Sequence, residues 1–197
     1  MWVKVNFVEE ALRSEEEIRE LVGVPHEHIV KKAIPIIDEH CRLFISKSPL
    51  LFLSTSNADG KCDVSPRGDE PGSVKVLNEN QLVIAERPGN RRADSITNIL
   101  SNPHVGLVFL IPGLEEVLRI NGRAYMIKNK EILSTMGVKG KEPVIGIGVE
   151  VEECFIHCPR ALKASNIWNP EQWESIEDIP PLKQIFLDHL KINGIEI

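Results

Sequence analysis

The sequence has few cysteines, no long apolar run and no excess of positive charge. Its four cysteines, among 197 residues, are too few and too scattered for a disulfide framework, so we interpret them as reduced thiols of a cytoplasmic protein. No apolar run approaches the roughly 20 residues that span a membrane, and the N-terminal stretch turns acidic too early for a signal peptide. The formal net charge of -6 argues against a nucleic-acid-binding protein. What remains is an ordinary globular protein.

Short strand-like patterns occupy the middle of the chain, and helical patterns flank them. We predict an N-terminal helical segment over residues 1–48, a β domain over 49–160 and a C-terminal tail with one helix over 161–197. The predicted strands are LLFLSTS, KCDVS, SVKVL, QLVIAE, HVGLVFLIP, EVLRINGRAYMI and PVIGIGVEVEECFIH. Turn signals such as Asp59-Gly60 indicate hairpins and therefore antiparallel pairing. Strands this short and numerous predict a small barrel, so the fold class is mainly β with helices (α+β).

Three patterns predict helices in the N-terminal segment. Ser14, with a glutamate three residues later, has the form of a capping box. Apolar residues at intervals of four from Ile29 to Ile37 predict a second helix, which Pro35 should kink or interrupt. Asp38 is predicted to start a third helix, which ends at the Ser-Pro before the first strand.

The stretch AERPGNRRADSITNIL raises a question of charge. A strand stops before it, a helix is predicted over about residues 90–101, and Arg91 and Arg92 stand at the start of that helix. The helix dipole is already positive there, so cations are normally placed at the other end, and a bound anion would resolve the conflict. The alternative is that these arginines are solvated or pair with Asp94 and Glu86.

Neighbouring residues support an anion site in two strand-end loops. Asn90 is a good N-cap residue, and Gly89 allows the backbone to approach a ligand closely. A second basic loop, DVSPRGD, also follows a predicted strand and offers the Ser65 hydroxyl and the Arg67 guanidinium. Because sequential strands are usually neighbours in space, the two loops can converge on one phosphate.

The order of these motifs resembles the pyridoxamine 5′-phosphate oxidase-like FMN-binding split-barrel proteins. The motifs are a strand with Ser-Pro-Arg-Gly, a strand with Arg-Pro-Gly-Asn-Arg-Arg, a helix ending in NILSNPHVGLVFL, and LRINGRA. They extend over about residues 50–169 and are closest to a flavin-binding subgroup rather than to the authentic oxidase. The resemblance implies an antiparallel split β-barrel, FMN as cofactor, and a homodimer with the cofactor at its interface.

The resemblance also implies how the phosphate is held. Gly89, Asn90, Arg91 and Arg92 match the Gly-Ser-Arg-Lys loop of the family, whose side chains hold the FMN phosphate. Arg92 stands where the family has lysine, which keeps the charge and changes the donor geometry. Arg67 takes the position of an earlier phosphate or ribityl contact, with Ser65 beside it.

Other matched positions concern the flavin ring and the substrate. Ala85 and Glu86 match the strand-end pair whose backbone borders the flavin. Val117 and Arg119 lie on the strand that, in the family, lines the ring from the partner subunit. The C-terminal segment of the authentic oxidase, with its tryptophan and Arg-Leu pattern, has no match in the ending LKINGIEI, so we do not expect pyridoxamine phosphate oxidation.

Two residues of the tail are further candidates for the site. Lys163 can face the phosphate or the ring, and Trp168 can cover the isoalloxazine or border its edge. The alternative is that the tryptophans of KASNIWNPEQW pin the tail to the barrel, as amphipathic tryptophans commonly do at half-buried contacts.

The run CFIHC places Cys154, His157 and Cys158 within five residues. A structural zinc site requires four ligands, and Cys41 and Cys62 lack the spacing of a second pair. Strand alternation also directs His157 to the opposite face from Cys154 and Cys158. The pattern favours core thiols over a redox pair, and a redox pair over a metal site.

We therefore predict an FMN-binding flavoprotein, an oxidoreductase that carries out two-electron transfer on an unidentified small molecule. No side chain is assigned as a catalytic acid or base. The alternatives are a non-catalytic flavin, deazaflavin or haem carrier of the same fold, and an interaction domain that binds no cofactor. We predict no metal, no nucleic acid and no membrane as partners.

Overall fold

The computed structural model of the chain describes residues 3–196. The strands in this range are β1 Leu50–Ser56, β2 Cys62–Gly68, β3 Lys75–Val76, β4 Gln81–Ala85, β5 His104–Leu110, β6 Val117–Ile127 and β7 Gly146–His157. The helices are α1 Glu15–Val22, α2 Glu27–Lys31, α3 Glu39–Lys47, α4 Asp94–Ser101, α5 Lys130–Ser134, α6 Arg160–Ala164 and α7 Leu182–Ile192, with a short 3-10 helix at Pro170–Gln172.

The seven strands of the described residues form one antiparallel sheet in the order β2-β1-β5-β6-β7-β4-β3. Hairpin connections join β1 to β2, β3 to β4 and β5 to β6, as the turn signals predict. In residues 3–196 no backbone ladder joins β2 to β4 or β3, so the sheet does not close. This open seam confirms the predicted α+β fold with an antiparallel split β-barrel.

The main hydrophobic core fills the barrel, and a small second cluster joins Val83 to Leu133 and Met136. Alternate residues of β1 point inward, among them Leu51 and Leu53, as expected for strands with one buried face. Phe109 of β5 is also fully buried, and α4 adds Ile99. The helices α1 and α7 contain no buried residue. The core therefore lies within the barrel, α3 and α4.

The N-terminal helices follow the sequence pattern in part. Ser14 is the N-cap of α1, and its Oγ accepts a hydrogen bond from the Glu17 backbone N–H at 3.2 Å, which confirms the serine cap. The Glu17 carboxylate accepts from the backbone N–H of Arg13 rather than of Ser14, so the reciprocal half of the capping box is shifted by one residue. Asp38 caps α3 as predicted.

The helix predicted from Ile29 to Ile37 is interrupted, as expected from Pro35, and the second half of that stretch differs from a helix. The helix α2 ends at Lys31, and Ile34 instead forms a β-bridge with Cys154, with backbone bonds of 3.0 and 2.7 Å. Pro35 explains the difference, because proline lacks the N–H that a helix interior needs and restricts the residue before it to extended conformations. Among residues 3–196, no helix has both the length and the apolar character needed to cross a membrane.

Candidate functional site

A cleft of about 580 Å³ lies at the open seam, where the end of β2 approaches the end of β4. Its walls come from three stretches of chain: residues 48–51, 63–69 and 84–96, with two residues of the β2–β3 connection. The volume is in the range of small-molecule sites. The seam thus offers a binding site that a closed barrel would not have.

Two ion pairs of opposite polarity cross the seam. Arg67 of β2 donates a hydrogen bond to the Glu86 carboxylate just after β4. Arg87, one residue after Glu86, pairs with Asp69, two residues after Arg67: it donates from Nε to Asp69 Oδ2 at 2.8 Å, and its Nη2 lies 2.7 Å from the same oxygen. Side chains rather than backbone hydrogen bonds therefore hold the two edges together.

Ser65 and Arg67 lie on β2 itself, so their predicted placement in a loop after the strand is wrong. They pair with Leu53 and Leu51 of β1, and their side chains share the half-buried face of β2. The strand continues through Pro66 because β2 is an edge strand, where a residue without an N–H is tolerated.

The predicted helix start is also wrong. The helix α4 begins at Asp94, and its N-cap is Ala93, which makes no side-chain capping bond. Asn90 Oδ1 instead accepts a hydrogen bond from the Arg92 backbone N–H at 3.0 Å, the local turn that asparagine side chains favour. The arginines therefore belong to a loop before the helix rather than to its first turn.

That loop contains two left-handed residues. Arg91 has φ of 65° and Ala93 has φ of 59°, although neither is glycine. Such conformations cost on the order of 1 kcal/mol each and cluster at ligand sites. The loop before α4 has the backbone features of a functional segment.

The ion pairs of the loop follow the predicted alternative only in part. Arg92 Nε lies 2.7 Å from Asp94 Oδ2, and this hydrogen bond raises the pKa of Arg92. Glu86, however, pairs with Arg67, and Arg91 has no ion pair within residues 3–196. Arg91 is the most available cation of the cleft.

Arg67 provides a test of whether the cleft suits an anion. Its Nε is buried and has no hydrogen-bond partner among the described residues. Buried donors in folded proteins are nearly always paired, so an orphan in a cleft fits a ligand that accepts hydrogen bonds. Gly89 adds open space, since a Cβ there would meet no atom within 4 Å.

The structure brings eight of the twelve predicted site residues together. These eight line the cleft: Ser65, Arg67, Ala85, Glu86, Gly89, Asn90, Arg91 and Arg92. The other four do not line it within one chain: Val117, Arg119, Lys163 and Trp168.

Those four residues lie in a second region, at the start of β6. Trp168 Nε1 donates to the Leu114 carbonyl at 2.9 Å, which fits the alternative that this tryptophan pins the tail to the barrel. Lys163 Nζ is 4.0 Å from a Glu115 carboxylate oxygen. We call the residues 114–119 with Lys163 and Trp168 the β6 patch.

Sequence reasoning missed several polar residues of the cleft, among them Arg87, Asp69, Ser95 and Asp63. Arg87 and Asp69 form the second ion pair, and Ser95 Oγ donates to Asp63 Oδ2 at 2.7 Å. A signal for the two aspartates was present, because they share the period-two alternation of β2 with Arg67.

The cysteines of CFIHC do not act together. Cys154 and Cys41 are both buried. A side-chain hydrogen bond between the two thiols, together with burial, raises the pKa of Cys41. Cys158 is exposed, and all four cysteines are free. In residues 3–196 no three His, Cys, Asp or Glu side chains are grouped as metal ligands.

The chain matches the family model described as pyridoxamine 5′-phosphate oxidase over residues 37–158. No curated protein sequence matches it. Among solved structures, HupZ of Group A Streptococcus is 16% identical, with a TM-score of 0.49 over 61% of this chain and 93% of that one. General stress protein 26 of Bacillus anthracis is 16% identical, with a TM-score of 0.46 over 66% and 93%. HutZ, the heme storage protein of Vibrio cholerae, is 17% identical, with a TM-score of 0.43 over 61% and 93%.

The structural likenesses are distant and carry no functional inference. The family match is broader, because it includes the strands from β1 to β7, the core and every residue that lines the cleft. It covers more than half of the 197 residues. The chain therefore belongs to the pyridoxamine 5′-phosphate oxidase family.

Proposed function

We propose that this protein is an FMN-binding flavoprotein that holds the cofactor phosphate in the cleft at the seam. The observation that carries the proposal is the Arg67 Nε, which is buried without a partner in residues 3–196, beside the arginine loop 87–92. An unsatisfied buried donor costs about 1–3 kcal/mol, and an anionic ligand removes that cost.

The phosphate anchors in this proposal are Arg67, Arg91 and Arg92, with Ser65 and Asn90 as neutral hydrogen-bond partners. Guanidinium groups match phosphate oxygens in paired hydrogen bonds and stay charged at every physiological pH. All five residues line one cleft, from both sides of the seam.

The flavin ring is proposed to lie between two protomers. The backbone of Ala85 and Glu86 borders it from one side, and a second copy of the chain brings its β6 patch, with Val117 and Arg119, to the other. The patch is separate from the cleft within one chain, so a homodimer is the simplest way to unite the predicted residues. Lys163 and Trp168 belong to the same patch and are proposed to border the ring.

When bound, FMN supplies reversible two-electron transfer, and the protein supplies binding and orientation. The carboxylates that line the cleft are each engaged: Asp63 by Ser95, Asp69 by Arg87, Glu86 by Arg67 and Asp94 by Arg92. None is therefore assigned as an acid or a base. We propose an oxidoreductase that acts on a small molecule through the cofactor alone.

A flavin or deazaflavin carrier without turnover is the second candidate, and the engaged carboxylates favour it. Haem is less well supported, because its iron takes an axial His, Cys, Met or Tyr, and none of these side chains lines the cleft within residues 3–196.

The free thiols of the described chain fit the proposal of a reducing, cytoplasmic compartment.

The first experiment is a visible absorption spectrum of the purified protein, before and after FMN is added and the excess removed by desalting. A two-band flavin spectrum that survives desalting supports the proposed function. A colourless protein that retains no FMN overturns it. Anaerobic reduction, followed by reoxidation with small-molecule acceptors, then separates an oxidoreductase from a carrier, which no acceptor reoxidises faster than oxygen does.

The dimer has its own test in mixed protomers. We expect Arg91→Ala and Arg119→Ala proteins each to retain little FMN alone, because each lacks one side of the site. Unfolded and refolded together, they should form some dimers with one intact site and recover part of the binding. No recovery in the mixture would contradict a site shared between protomers.

A further inference from the structure

The cleft contains as many carboxylates as arginines. Its four arginines are Arg67, Arg87, Arg91 and Arg92, and its four carboxylates are Asp63, Asp69, Glu86 and Asp94. Three of the arginines already have a carboxylate partner in the described chain. Arg91 is the exception, so an anion that engages any guanidinium besides Arg91 must take it from an internal carboxylate.

The pair between Arg67 and Glu86 is the best placed for such an exchange. Each side chain is 19% exposed, whereas Arg92 and Asp94 are 74% and 44% exposed. A pair largely removed from water interacts strongly, so an exchange of its carboxylate for a ligand has a larger effect on affinity than one at the exposed pair. Water and salt already weaken the outer pair between Arg92 and Asp94.

Glu86 leaves Arg67 incompletely satisfied. The carboxylate accepts from Nη1, while the Nε of the same guanidinium is buried without a partner in the described residues. A phosphate group offers three acceptor oxygens and can accept hydrogen bonds from the Nε of a guanidinium as well as from its terminal nitrogens. A ligand phosphate therefore has a geometric advantage over the internal carboxylate.

Resting on the FMN-binding function proposed above, we propose that Glu86 is an internal counter-ion that a ligand phosphate must displace from Arg67. Glu86 thereby sets the affinity of the cleft and selects terminal phosphomonoesters. A phosphomonoester carries up to two negative charges near neutral pH, more than the one it displaces. Each phosphate of a diester linkage carries only one charge and gains less from the exchange.

The test compares Glu86→Gln with Asp63→Asn. Both variants remove one negative charge from the cleft and keep the side-chain size. Only Glu86→Gln removes the charge of a carboxylate that forms an ion pair with a guanidinium. The Asp63 oxygen accepts from the neutral Ser95 hydroxyl, and an amide oxygen can accept the same bond. The control therefore reports the general electrostatic effect, and the difference between the variants reports the exchange.

We expect Glu86→Gln to tighten FMN binding by about tenfold, the factor that one charge-assisted hydrogen bond contributes, and Asp63→Asn to change it much less. Without ligand, Glu86→Gln should lower the melting temperature, since it weakens a contact across the seam. FAD, which has only diester-type phosphates, should gain less than FMN from the substitution. Equal tightening by both variants, or weaker FMN binding by Glu86→Gln, overturns the proposal.

Inorganic phosphate keeps the test independent of the flavin. We expect phosphate to raise the melting temperature of Glu86→Gln more than that of the wild type or of Asp63→Asn. If the wild type binds no FMN while phosphate still stabilises Glu86→Gln selectively, the proposed function fails and the exchange stands. If the wild type binds FMN and the variants respond alike to both probes, the exchange fails and the proposed function stands.

Discussion

Gly122 of β6 lies so close to Glu150 of β7 that a Cβ on the glycine would stand 2.0 Å from the glutamate carbonyl oxygen. The register of the two strands shifts between Asn121 and Gly122, so a bulge brings the two backbones together. Glycine is the residue that such a close approach requires.

We expect Gly122→Ala to destabilise the protein by about 3 kcal/mol, since the strands must move apart in a packed sheet. Urea unfolding followed by circular dichroism measures the change. Gly106→Ala on β5 is the matched control, because its Cβ would meet atoms no closer than 3.4 Å. Similar losses in both variants would show that the contact at the bulge is not the cause.

The cap of α3 makes stability depend on pH. Asp38 Oδ1 accepts a hydrogen bond from the Cys41 backbone N–H at 2.8 Å, and this bond lowers the pKa of Asp38. A lowered pKa means that the stabilisation is complete above the unfolded-state pKa of about 4 and is lost as pH falls through the lower folded-state pKa.

We expect Asp38→Ala to cost about 1 kcal/mol at neutral pH, as loss of an N-cap does. Asp38→Asn should keep most of the capping energy and remove this part of the acid sensitivity, because asparagine caps helices without titrating. Unfolding curves between pH 7 and pH 3 measure both effects. Parallel pH profiles for wild type and Asp38→Asn would count against the cap as a source of acid sensitivity.

Arg91 should contribute directly to cofactor affinity. We expect Arg91→Ala to weaken FMN binding by about 1.5–3 kcal/mol, the range for hydrogen bonds to charged groups. Isothermal titration or flavin fluorescence gives the dissociation constant. Arg123→Ala is the control, since that exposed arginine of β6 does not line the cleft. An unchanged constant in Arg91→Ala would show that the loop is not the phosphate anchor.

Riboflavin should bind far more weakly than FMN, because it keeps the ring and lacks the phosphate that the arginines are proposed to hold. Competition between the two ligands, followed by fluorescence, gives the ratio of affinities. Equal affinities for riboflavin and FMN would show that the protein recognises the flavin ring and that the arginine loop does not hold the phosphate.

Local sequence patterns predicted most of the barrel. The run from Leu50 to Ser56 was predicted as a strand at its observed bounds, and Asp38 was predicted as the start of α3. In these segments burial on one face and a capping side chain act over a few residues, so they can be read locally. Pro66 misled the prediction, because its effect depends on whether a strand lies at the edge of the sheet.

Most residues of the candidate site could be predicted from the sequence, but the ion pairs between them could not. Arg67, Arg91, Arg92 and Ser65 were identified from the motifs, and the cleft contains them, whereas Arg87 was missed. That Glu86 meets Arg67 rather than Arg91 follows from the coiling of the sheet, which brings β2 and β4 together although four strands separate them in the strand order. No local pattern carries that information.

The seam has a kinetic consequence. Elsewhere in the barrel, neighbouring strands separate only if a ladder of backbone hydrogen bonds breaks, and such openings approach the cost of global unfolding. The two walls of the seam are joined by the ion pairs Arg67–Glu86 and Asp69–Arg87 and by no backbone ladder in the described residues. We therefore expect the seam to open at a lower cost than any other pair of neighbouring strands, so that a ligand can enter and leave while the core stays folded.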